Sequence, residues 1–353
     1  MISGALGIIE GYYGAPWGWG ERWNTIAFLA RHSYSFYIYA PKADEYLRRH
    51  WREPHTKEVF DQLGILAASC RHAGVSFGVG LSPYEIYRGF DAAAQMSLGA
   101  KLAELDELGL DTLAILFDDM KGDLPNLAVT QAHIVHWIAE RTKAAHILMC
   151  PSYYSDDPIL DRIFGARPKN YLKDIGRLLD PKIDIFWTGP KVCSPEYALD
   201  HLDRVAGQLG RKPFLWDNYP VNDGPRMSPH LHLRAVTGRP AAVAGHIAGH
   251  AVNPALQPVL TRIPMLTLAD SYAKAESYDP DRAFLSAATA VCGEALAQAL
   301  CEDIPALQDS GLNNMAPDQV DTLRSRYTGF DHPAAREVEG FLDGKYRFTG
   351  EMM

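Results

Sequence analysis

Leu113-Ala114-Ile115-Leu116-Phe117-Asp118-Asp119 is the stretch that gives the architecture away. Five apolar residues run without polar interruption into two adjacent acids. A strand with one face in water alternates polar and apolar side chains. A short run that is apolar throughout, and bounded by polar residues, suits a strand buried on both faces, as in a parallel sheet covered by helices.

Working outward, the same kind of run recurs. Candidate strands are 5–10, 35–40, 75–81, 112–117, 146–150, 183–187, 213–216 and 243–250. Between them lie amphipathic stretches near 21–32, 56–73, 91–108, 130–144, 171–179, 195–209 and 228–236, the last short and preceded by a proline-rich loop. Strand and helix alternating over roughly 255 residues match an α/β protein of the (β/α)8 TIM barrel type. A doubly wound open sheet shows the same alternation, so the count alone leaves both open. Beyond about residue 265 the strand pattern stops, and 281–300, 318–327 and 334–342 read as helices, with Asp279-Pro280 as a start signal. The expected organisation is a catalytic barrel over residues 1–270 and a C-terminal helical region over 271–353.

Composition narrows the function. The chain has 353 residues and a net charge of −9 with no basic run, which argues against nucleic acid or an anionic membrane as partner. Hydrophobic residues are 47%, enough for a large core, yet no apolar stretch approaches the roughly 20 residues that cross a bilayer. The start carries no basic, signal-like segment, so a cytoplasmic setting is expected. Five widely spaced cysteines without a CxxC motif give neither a disulfide framework nor a cysteine zinc site. There is no P-loop, no GxGxxG after the first strand and no GxSxG elbow. His246 and His250 have the spacing of a helical zinc pair, but no Glu follows the first and the segment reads as a strand. Neither a metal nor a cofactor is therefore expected.

In such barrels chemistry gathers at the C-terminal ends of the strands. Here those ends carry Glu10-Gly11-Tyr12-Tyr13-Gly14, Ala40-Pro41-Lys42, Asp118-Asp119, Ser152-Tyr153-Tyr154, Thr188-Gly189-Pro190-Lys191, Trp216-Asp217-Asn218 with Asp223, and Asn253. Aromatic faces with carboxylates and amides suit a sugar ring and its hydroxyls. Asp118 and Asp119 side by side repel when both are ionised, so one should keep its proton to higher pH and serve as general acid. Taken singly, the others have plainer readings: Lys42 as a surface lysine, Trp216 as core, Asn218 and Asp223 as turn formers, Gly11 as part of a glycine turn.

Read in order, Gly7-Ile8-Ile9-Glu10-Gly11-Tyr12-Tyr13-Gly14-Ala15-Pro16-Trp17, Tyr39-Ala40-Pro41-Lys42, His50-Trp51-Arg52-Glu53, Phe117-Asp118-Asp119, Trp187-Thr188-Gly189-Pro190-Lys191-Val192 and Trp216-Asp217-Asn218 resemble the catalytic domain of glycoside hydrolase family 84, the O-GlcNAcase or β-N-acetylglucosaminidase family, also described as hyaluronidase-like. The resemblance covers about residues 4–255. It implies a TIM barrel and a retaining, exo-acting hydrolysis of terminal β-linked N-acetylglucosamine. In that mechanism the sugar's own acetamide attacks and forms an oxazoline, one of the departures from the two-carboxylate scheme. It further implies that Asp119 is the general acid and Asp118 the partner of the acetamide N–H. By the same resemblance, Gly11, Lys42, Tyr154, Trp216, Asn218, Asp223 and Asn253 would bind the sugar. The segment Met120-Lys121-Gly122-Asp123 departs from the Ile-Asp expected after the acid pair in animal members. The implied partner is a GlcNAc-bearing glycoconjugate or glycoprotein; the oligomeric state is left open. An endo-acting hyaluronan or chitin-type enzyme and a silent glycan-binding barrel are the alternatives.

Overall fold

The computed structural model describes residues 5–350. Eight parallel strands close into a barrel: β1 (Ala5–Glu10), β2 (Phe36–Tyr39), β3 (Ser76–Leu81), β4 (Thr112–Leu116), β5 (His146–Cys150), β6 (Asp184–Trp187), β7 (Phe214–Asp217) and β8 (Gly249–Val252). Each strand pairs with its sequence neighbour, and β1 closes on β8 with Leu6 opposite His250 and Gly7 opposite Ala251. Closure settles the alternative in favour of the barrel. The strands are short and β4 is buried at every position, as its apolar run requires.

Most of the expected helices form, with local chemistry that explains their ends. Thr56 caps Lys57–Ala73 by accepting from the Val59 N–H, and Gly74 ends it in the left-handed conformation at φ 71°. Asp91 caps Ala92–Asp106 through the Ala94 N–H. Asp279 caps Pro280–Cys292 through the Arg282 N–H, as its Asp-Pro start signal predicts. Helices Ile159–Phe164 and Arg262–Lys274 are additions that the sequence reading lacks.

Three expectations need correction. The stretch 228–236 is not a helix. Its N–H groups are taken from outside: Leu231 N donates to the Leu307 carbonyl at 2.9 Å, Leu233 N and Arg234 N to Gln308 Oε1 at 2.7 and 2.8 Å, and Val236 N to Thr267 Oγ1 at 3.0 Å. The eighth strand does not begin at Val243. Pro240 opens a 3₁₀ turn over Ala241–Gly245, and pairing starts only at Gly249. A Cβ on Gly249 would lie 2.4 Å from the Phe214 ring, so the strand enters the barrel at the one residue without one. The apolar run 281–300 is two helices, Pro280–Cys292 and Glu294–Ile304, broken at Gly293 with φ 80°.

One continuous hydrophobic core runs from Leu6 to Tyr346 and includes Ala334, Val338 and Phe341 of the last helix, Pro333–Leu342. That helix is further tied down by Glu337, whose two carboxylate oxygens accept the Val259 and Leu260 N–H groups at 2.8 Å each. No helix among the described residues is long and apolar enough to cross a membrane.

Candidate active site

The chain continues the barrel ladder one residue past β4, Phe117 N donating to the Cys150 carbonyl at 2.9 Å, and then turns. Asp119 has φ 56°, left-handed backbone that Asp tolerates better than most residues. In a pleated strand neighbouring side chains point to opposite faces. The turn takes the chain out of the pleat, and Asp118 and Asp119 line the same cavity of about 820 Å³ at the C-terminal mouth of the barrel.

The two acids meet different surroundings. Asp118 pairs through Oδ2 with Lys42 Nζ, and both side chains are at most 7% exposed. Its Oδ1 is buried and has no hydrogen-bond partner. Asp119 lies between two tyrosines: Tyr13 Oη is 2.9 Å from Oδ2 and Tyr154 Oη is 3.0 Å from Oδ1. Burial, reinforced by the neighbouring Asp118 charge, raises the Asp119 carboxyl above the usual carboxylate range. The sequence reading expected the pair to separate in this way.

The remaining expected residues converge on the same cavity. Gly11, Tyr154, Trp216, Asn218, Asp223 and Asn253 all line it, and Lys42 reaches it through Asp118. A chain of hydrogen bonds joins four of them: Gly11 N to Asn253 Oδ1 (3.2 Å), Asn253 Nδ2 to Asn218 Oδ1 (2.9 Å) and Trp216 Nε1 to the same Asn218 oxygen (3.0 Å). Asn218 Nδ2 is anchored on the Val192 carbonyl at 2.9 Å. Trp216 stands edge-on to Phe186, with ring centroids 5.2 Å apart, and forms one wall. Glycine is required at position 11 because a Cβ there would lie 2.3 Å from Trp216 Cζ2. Asp223 Oδ2 accepts the Tyr13 N–H at 2.7 Å, and burial pushes its carboxyl up to about 6.

The sequence reading gave no role to Tyr13, although it lies within the first-strand motif. Its hydroxyl meets Asp119 while its N–H meets Asp223, so it spans the two acids. Cys150, at the end of β5, also lines the cavity, and burial keeps its thiol neutral. Asp217, which sits inside the Trp216-Asp217-Asn218 motif, points away from the cavity. It pairs with Arg239 at 2.8 Å and with His250 at 3.1 Å, and its carbonyl accepts the Asn253 N–H at 2.8 Å. His246 instead faces Asp203. The two histidines therefore serve different acids, and among the described residues no cluster of three His, Cys, Asp or Glu is arranged to hold a metal ion. The divergent segment after the acid pair is pinned: Met120 is buried, and Gly122 N donates to the Phe164 carbonyl at 2.9 Å.

Comparison with known proteins gives consistent matches. The family model described as beta-N-acetylglucosaminidase matches residues 6–303. Among curated relatives, Protein O-GlcNAcase of Mus musculus and that of Rattus norvegicus are each 28% identical over 275 residues, 75% of this chain. The chain spans about 30% of the length of these relatives. A solved structure of a mutant of the Thermobaculum terrenum O-GlcNAc hydrolase superposes with a TM-score of 0.79 at 29% identity, covering 96% of this chain and 81% of that one.

Proposed function

The chain belongs to the β-N-acetylglucosaminidase family, and from that premise we propose that it removes terminal β-linked N-acetylglucosamine with retention, through an oxazoline formed by the sugar's own acetamide. The observation that carries the reading is the division of labour within the acid pair. Asp118 keeps a buried oxygen without a donor, and a buried acceptor left unpaired costs about 1–3 kcal/mol. An acetamide N–H supplies that donor. Asp119, raised by burial and by its neighbour, keeps its proton to higher pH than an ordinary carboxylic acid.

The steps follow. The acetamide oxygen attacks the anomeric carbon as the bond to the leaving oxygen breaks, and Asp119 gives its proton to that oxygen. Asp118, accepting the N–H, steadies the positive charge that grows on the acetamide. Water then attacks the anomeric carbon, its proton returns to Asp119, and the ring of the oxazoline opens. Trp216 walls the acetamide pocket, with Asn218 and Tyr154 beside it. Gly11, Lys42, Asp223 and Asn253 read the ring hydroxyls, and enclosure of these favours a terminal sugar over an internal one. The names of the relatives point to O-GlcNAc on protein Ser or Thr as the natural substrate.

A series of aryl N-acetyl-β-glucosaminides tests this. The protein cleaves them, releasing single sugars from the non-reducing end of an oligosaccharide, and Asp119→Asn slows the poor leaving groups by roughly 10²–10⁴-fold but the good ones far less. Asn is the replacement of choice because it tolerates the left-handed backbone at this position. Equal loss across the series removes Asp119 as the acid; absence of any cleavage removes the function.

A further inference from the structure

We propose that a groove beside the sugar cavity receives an anionic group carried on the leaving group of the substrate. The inference rests on the function proposed above and specifies its substrate class. The groove has a volume of about 550 Å³ and shares Tyr13 with the catalytic cavity, and its Lys42 pairs with Asp118 of that cavity. Its other cations come from distant parts of the chain: Arg48 and Arg49, just after a short 3₁₀ turn at Glu45–Leu47, and Lys345 and Arg347, on the C-terminal segment. Among the described residues none of these four has a carboxylate within 4.0 Å. Glu45, the acid in the lining, faces His50 at 3.6 Å.

Arg48 is the central observation. It is 4% exposed, and its Nε is buried without a partner. Its side chain makes one long hydrogen bond, 3.4 Å to the Asp119 carbonyl, and its guanidinium lies over the rings of Tyr13 (5.8 Å) and Tyr84 (5.0 Å). Buried charges are normally paired, because desolvation is otherwise uncompensated. A protein with a net charge of −9 has acids to spare, yet among the described residues places no carboxylate within 4.0 Å of Arg48. A bound carboxylate or phosphate supplies the missing partner, and the guanidinium fork fits either.

The leaving group is where that anion sits. A terminal sugar held by Asp223 and Asn253 continues only through the glycosidic oxygen, next to Asp119. Tyr13, whose hydroxyl meets Asp119, is the wall shared by that site and the groove.

The test uses 4-(2-carboxyethyl)phenyl and 4-(2-carbamoylethyl)phenyl N-acetyl-β-glucosaminides, with a phosphonate analogue as a third arm. Their phenols leave with nearly equal ease, so the comparison isolates charge. At low ionic strength the anionic substrates show kcat/KM about 10-fold above the amide, and the advantage shrinks as salt is added. The larger of the two anionic advantages names carboxylate or phosphate. In R48Q, read as the ratio to the neutral amide, the advantage falls towards one. Equal cleavage of charged and neutral substrates by the unmodified protein overturns the inference and leaves the proposed function standing. An advantage that survives in R48Q also overturns it, because Arg48 is then not the partner of the anion. Failure to cleave even the neutral amide defeats the proposed function itself.

Discussion

Tyr13 tunes a protonation that burial and the Asp118 charge dominate. Its hydroxyl donates to Asp119 and so favours the ionised form, working against the burial that favours the acid. Tyr13→Phe removes that donor and raises the Asp119 carboxyl further. A hydrogen bond to a charged group is worth about 1.5–3 kcal/mol, and one pKa unit is about 1.4 kcal/mol. The alkaline limb of kcat/KM against pH, which reports loss of the general-acid proton in the free enzyme, therefore moves up by about one unit. An unmoved limb assigns it to a different group. The acid pair and most of its neighbours were readable because strand ends can be located from apolar runs and the barrel gathers them. Tyr13 and Arg48 were not, since both act through contacts between loops whose meeting no local pattern records. Asp217, a motif position to which the sequence reading gave no role, is a buried support for β7 and β8.

Strands and helices were readable to the extent that their own residues determine them. Runs buried on both faces gave seven strands near their observed places. The eighth was started too early because Ala-Ala-Val-Ala-Gly after Pro240, in which only Val243 is buried, is an apolar run that periodicity cannot tell from a turn of helix. The segment 228–236 failed for a different reason, because its conformation is set by a partner about 75 residues away. Gln308 holds it with one side-chain oxygen that accepts two N–H groups. Gln308→Ala leaves both unpaired, and the expected result is a destabilisation of about 1–3 kcal/mol with selective loss of hydrogen-exchange protection at Leu233 and Arg234. Unchanged protection there means that apolar packing alone fixes the segment.

Across the whole chain, the C-terminal helices share the barrel's core, and Glu337 is one of the polar ties between them. Burial pushes its carboxyl up to about 7. The folded state thus holds the proton more tightly than the unfolded chain does. The resulting stability is full below the unfolded value near 4.5 and is lost as the pH rises through about 7, on the order of 3 kcal/mol in all. Asp223, pushed up to about 6, adds a loss of the same sign. Glu337→Gln has no proton to lose, so its melting temperature should decline less between pH 5 and 8 than that of the unmodified protein. Parallel declines would place the titration elsewhere.

The backbone at Asp119 has an evolutionary consequence. A left-handed position admits Asp, Asn or Gly readily and punishes branched or bulky substitutes. Asn and Gly are each one nucleotide from either aspartate codon. Drift can therefore silence the chemistry in a single step while sparing the barrel, and a descendant that only recognises amino-sugars should betray its ancestry by carrying one of those two residues at the vacated post.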